Sequence, residues 1–152
     1  MSAVTESVWI DAPQEEVFRK GSDLPHCEEW IEEIIRIELL TEGPVGTGTR
    51  WRETRMMFGK QSTEEMSITR FEPPQMYQAE AYNCGSQYIT QIHFAAENGG
   101  TKVTSNFNCV PQTFFAKIMV CLTGWMMKGM LRKMLLKDMT DLKSAVEADA
   151  AS

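Results

Sequence analysis

The chain has 152 residues, 43% of them hydrophobic and 24% charged, with a formal net charge of −6. That length is enough to bury one full core without staples, and the balance is that of an ordinary globular protein. The acidic total argues against a nucleic-acid partner, which needs a basic surface.

The charge is unevenly spread. Residues 1–44 hold eleven acids and three bases, whereas residues 112–137 hold Lys117, Lys128, Arg132, Lys133 and Lys137 and no acid. A basic helix facing an acidic front half balances charge within the molecule, or attracts an anionic ligand or membrane surface. The four cysteines, Cys27, Cys84, Cys109 and Cys121, show no C-x-x-C spacing, so no metal site and no cofactor is indicated. The opening MSAVTESVWID lacks the basic and apolar regions of a signal peptide. Free thiols in a reducing cytoplasm are the expectation.

Residues 3–10 alternate as a strand, with Val4, Val8 and Ile10 on one face. Asp11 then reads as a helix N-cap and Pro13 as a first-turn residue, with Glu15 and Glu16 favoured there by the helix dipole. Gly21-Ser22-Asp23 ends this helix, and a second short helix spans Leu24 to Trp30. Strand-like segments follow at 33–41, 48–57, 61–71, 75–83, 87–97 and 101–110. Turn signals separate them: Gly43-Pro44, Gly59-Lys60, Pro73-Pro74, Cys84-Gly85-Ser86 and Asn98-Gly99-Gly100. Seven strands, the last six a meander, bury one face and need a cover.

A long helix over about 112–147 is that cover. Phe115, Met119, Leu122 and Met126 form one stripe, and Leu131, Leu135, Leu142 and Val146 form another, roughly 180° away at 100° per residue. Either the helix bends near Gly124 or Gly129, or its first half has two apolar contacts: the sheet, and a pocket mouth, a partner chain or a membrane. Six of the eleven methionines lie between Met119 and Met139, and methionine suits irregular apolar shapes. Only Ile118 to Met127 is free of charge, far short of the ~20 residues that span a bilayer, so no integral span is expected.

The segments IDAPQEEVF, GPVGTGTRWRE, FEPP and DLKSAVE, in that order and spacing, resemble the START-like superfamily, also called SRPBCC, which includes polyketide cyclase/dehydrase-like and pollen-allergen-like proteins. The resemblance covers nearly the whole chain. It implies an α+β helix-grip fold: a seven-stranded curved antiparallel sheet wrapped on a long C-terminal helix, with two short helices after strand 1. It places one such domain over 1–148, leaving a short polar tail at 149–152. It also implies a cavity between sheet and helix, and binding of hydrophobic molecules in many members. No shared catalytic motif comes with it, and fold alone is an associational guide to function.

Strand alternation supplies pocket candidates. Trp51, Glu53, Arg55 and Met57 share a face, which places an acid and a base inside if Met57 faces in. Tyr77, Tyr88 and Phe107 project from apolar strand faces, and a tyrosine hydroxyl there would bond a ligand carbonyl or act as a general acid. From the helix come Phe115, Met119, Leu122, Trp125 and Met126. His93 falls on the opposite face from Ile92 and Phe94. His26 and Cys27 are adjacent, which rarely lets a nucleophile face its base. Three functions fit. The first is binding of a small lipid-, polyketide- or aromatic-type molecule. The second is an enzyme of the polyketide cyclase/dehydrase type. The third is a homodimer through the methionine-rich helix.

Overall fold

A computed structural model describes residues 4–57, 59–83 and 85–151. The chain forms β1 (Val4–Ile10), α1 (Gln14–Gly21), a 3₁₀ helix (Leu24–Glu29), β2 (Ile34–Leu39) and β3 (Arg50–Met57). It continues through β4 (Lys60–Glu72), β5 (Met76–Asn83), β6 (Ser86–Glu97), β7 (Gly100–Pro111) and α2 (Phe114–Ala151). Ala3, Cys84 and Ser152, which the expected strand, turn and tail include, lie outside the described residues.

All strand pairs are antiparallel, in the order β1-β7-β6-β5-β4-β3-β2. β2 to β7 are therefore a meander, and β1 closes beside β7. The β6–β7 turn shows why the register holds. Asn98 and Gly99 take φ of 50° and 79°, the pair of positive values that a two-residue primed turn needs, and Glu97 then pairs with Gly100. The alternation puts Trp51, Ile68, Ala79, Phe94 and Val103 on the buried face.

α1 starts at Gln14, with Pro13 extended at the N-cap. The cap expected at Asp11 is not there: the Asp11 backbone N–H donates instead to Glu147 Oε2 at 2.9 Å, which ties β1 to the end of α2. α1 buries Val17 and Phe18 against Ile10, Phe94, Val103 and Leu142.

α2 is held at two places. Its C-terminal half lays Leu131 and Leu135 on Val4, and Met139, Leu142 and Val146 on the Phe18–Phe94 cluster. It runs on to Ala151, past the helix end expected at 147 and through most of the expected tail. Its N-terminus is pinned to the β5–β6 turn, where the N–H groups of Gln112 and Thr113 both donate to the Gly85 carbonyl (2.8 and 3.3 Å). Thr113 Oγ1 caps the helix by accepting the Ala116 N–H at 3.1 Å. Gly85 has φ +77°, and a Cβ there would lie 2.6 Å from Thr113 Oγ1. Gly85→Ala is expected to cost about 1–2 kcal/mol and lower Tm by about 2–8 °C in a calorimetric scan. An unchanged Tm would show that this pin carries no load.

Candidate functional site

Between the two anchors α2 stands away from the sheet, and the gap is a cavity of about 590 Å³. Tyr77 and Phe94 line it, their rings stacked at 6.3 Å, and Phe18 backs Phe94 edge to face at 5.1 Å from the core. The sheet supplies Trp51, Met66, Ala79, Ala81, Tyr88, Thr90 and Phe107, and the 3₁₀ helix adds Leu24 and Cys27.

α2 lines the cavity with Ala116, Val120, Gly124, Met127, Leu131 and Leu135. These recur every three or four residues in one phase, so the helix needs no bend to serve the cavity and the core alike. In its first half the inward residues are mostly small. The cavity is the space that larger side chains would have filled.

This corrects part of the expected site. Leu122, Trp125 and Met126 do not line the cavity. They point to solvent from the opposite side of α2, exposed by 66%, 79% and 53%. The sequence stripe through them is real but faces outward. Phe115 and Met119 also stand largely in solvent, yet they line the cavity, which puts them at its rim. Trp51, Glu53, Arg55, Met57, Tyr77, Tyr88 and Phe107 all line it.

One end of the cavity is polar. Arg55, only 7% exposed, reaches from β3 to Asp138 on α2, with Nη2 donating to Oδ2 at 2.9 Å. Its Nε lies 3.0 Å from Glu53 Oε2, an ion pair that lacks hydrogen-bond alignment. One guanidinium thus sits between two carboxylates away from bulk water. Burial pushes the Asp138 carboxyl up to about 6, although the Arg55 charge and hydrogen bond pull the other way. Asp138 Oδ1 and Trp30 Nε1 are enclosed and have no hydrogen-bond partner among the described residues. Asp138, Trp30 and Cys27 were not foreseen from the sequence. A signal for Asp138 existed: it falls seven residues after Leu131 and three after Leu135, a charge on the buried face of α2.

Other candidates have settled roles. The Tyr77 hydroxyl donates to the Gly21 carbonyl at 3.2 Å, and burial pushes its pKa well up, so it is a core tyrosine rather than a ready acid. Tyr88 stacks on Phe107 at 5.9 Å. Burial likewise pushes the Cys27 thiol up, the opposite of what a nucleophile needs. His26 is at the surface against Asp23, and His93 is exposed on the outer face of β6.

The chain matches the family described as polyketide cyclase/dehydrase and lipid transport over residues 1–147. It belongs to that family. Solved structures similar to this member include TTHA0849 from Thermus thermophilus, at 20% identity and a TM-score of 0.81, covering 99% of this chain and 100% of that one. A START superfamily protein from Mycobacterium smegmatis follows at 15% identity and 0.79, covering 96% and 97%. The di-domain ARO/CYC StfQ, from the steffimycin biosynthetic pathway, gives 11% identity and 0.81, covering 99% of this chain and 52% of StfQ. At these identities the likeness establishes the helix-grip fold and nothing finer. No curated protein sequence gives a significant match.

Proposed function

We propose that this protein binds a small hydrophobic molecule, of lipid, polyketide or aromatic type, in the cavity between its sheet and α2. The observation that carries the reading is a cavity of about 590 Å³ with a largely apolar lining into which the Arg55–Asp138 pair is set. That volume is within the ~300–1,000 Å³ of small-molecule sites. Arg55 and Asp138, a charged pair among its lining residues, favour a ligand that carries an oxygen function toward them. The apolar body would lie along Ala81, Phe107, Val120 and Met127. Native mass spectrometry of gently purified protein is expected to show a stoichiometric small-molecule adduct that solvent extraction removes. Protein that arrives empty and takes up no apolar compound would refute the reading.

A second reading, an enzyme of the polyketide cyclase or dehydrase type, is favoured by one specific feature. Asp138 holds its proton to about pH 6 inside the cavity, next to a fixed guanidinium. Such a pair suits proton transfer to a substrate oxygen while Arg55 steadies negative charge. Incubation with a linear polyketone mimic is then expected to give loss of one water. The rate should fall as pH rises through about 6, as for a required acid, and drop about 10²-fold in Asp138→Asn. Equal turnover by the variant would remove this assignment.

A further inference from the structure

The outer side of the first half of α2 is an apolar surface that none of the described residues covers. Phe114, Ile118, Leu122, Trp125 and Met126 lie within an arc of about 120°, all exposed, Phe114 by 81% and Trp125 by 79%. Large exposed apolar patches mark interaction sites. This one cannot be the wall of a transmembrane span, because the same helix commits Leu131, Leu135, Met139, Leu142 and Val146 to the core.

The charges around the patch select its partner. Lys117 and Lys128 flank one edge, and Arg132 and Lys133 stand at its C-terminal end. Arg132 is answered by Glu6 at 3.0 Å, and Lys137, one turn further on, by Glu32 and Asp141. Lys117 and Lys133 have no carboxylate within ion-pair distance among the described residues. No acid occurs between residues 112 and 137. The molecule is acidic overall, so this concentration of positive charge beside its most exposed apolar side chains is local to the patch.

A symmetric dimer through this face would set lysine against lysine with no acid to answer them, since an isologous contact repeats the same surface. An anionic bilayer surface answers both features at once. Aromatic and aliphatic groups enter the acyl boundary, while the lysine stems reach back to the head groups.

We propose that the Phe114–Met130 face of α2 docks in the plane of an anionic phospholipid surface. This does not rest on the ligand reading, because the patch faces away from the cavity. Docking would nevertheless bring Phe115 and Met119, at the cavity rim, to the membrane boundary.

Cosedimentation of the full chain with vesicles tests it, using phosphatidylcholine alone and an equal mixture with phosphatidylglycerol. Expected is binding to the mixed vesicles that is at least tenfold stronger than to phosphatidylcholine and that weakens with salt. L122E/W125E should lose it at least tenfold. K117E/K133E should lose about fivefold per charge on mixed vesicles and little on neutral ones. All four positions are solvent-exposed, so circular dichroism should match the parent. Absence of vesicle binding overturns the proposal, as does equal binding to both compositions. A solution dimer that L122E/W125E splits into monomers would overturn it too, by giving the face to a second copy.

Discussion

Arg55→Ala is expected to lower the unfolding free energy by about 3–5 kcal/mol at neutral pH, the largest single loss outside the aromatic core. Among the described residues Arg55 is the one cation lining the cavity, between Glu53 at 3.0 Å and Asp138 at 2.9 Å. Removing it leaves the part-buried carboxylates of Glu53 and Asp138 without their shared cation. The pH dependence gives the cause away. The fold already raises the Asp138 pKa to about 6, above the ordinary carboxyl value, so the folded state holds this proton more tightly than the unfolded chain. Stability from that proton is complete at low pH and is lost as pH climbs through about 6. Without Arg55 the Asp138 carboxyl holds its proton more tightly still. The deficit of the variant should therefore be largest above pH 7 and shrink as pH falls toward 5. Urea titrations across that range check it. The triple variant E53Q/R55M/D138N, which removes the charges together, should recover most of the loss. A deficit that is flat with pH would mean that Arg55 matters for packing and not for charge.

Ala81→Trp is expected to abolish ligand uptake and to leave the fold intact. Ala81 sits between Met66 and Tyr88 in register, and its methyl faces the cavity. In a filled core such an enlargement costs about 1–3 kcal/mol. Here the indole enters open space, so stability should shift by less than about 1 kcal/mol, while affinity for an apolar compound falls at least tenfold. Loss of stability together with unchanged uptake would place the ligand somewhere else.

Most of the architecture was legible from the sequence because its signals are local. The Asn98-Gly99 turn, the break at Pro73-Pro74 and the two-residue alternation of β3 to β7 are each decided by a few neighbouring residues. The inward orientation of Trp51, Glu53, Arg55 and Met57 followed from that alternation once Met57 faced in. The helix was harder for a physical reason. Hydrophobic periodicity detects bulk, so it made Phe115, Met119, Leu122 and Met126 pocket candidates while leaving open whether their stripe meets a pocket, a partner or a membrane. A cavity wall wants the reverse. Residues that face it, Ala116, Val120 and Gly124, carry little side chain, and Leu122, Trp125 and Met126 are turned out. Extending the Leu131–Leu135 stripe backward in steps of three and four reaches Met127, Gly124, Val120 and Ala116 without a change of phase. Asp138 was hidden likewise, within a charged stretch whose other members face solvent or pair with Glu6, Glu32 and one another. Only the partner strand, 83 residues away along the chain, makes it part of a site.

Equilibrium titration of the parent protein and Ala81→Trp with a neutral naphthylamine fluorophore tests most directly the proposed binding of a ligand between the sheet and α2. The expected result is saturable one-to-one uptake by the parent, competed by lipid- or polyketide-type compounds and lost in the variant. Uptake that never saturates, or that is the same in both proteins, would contradict it.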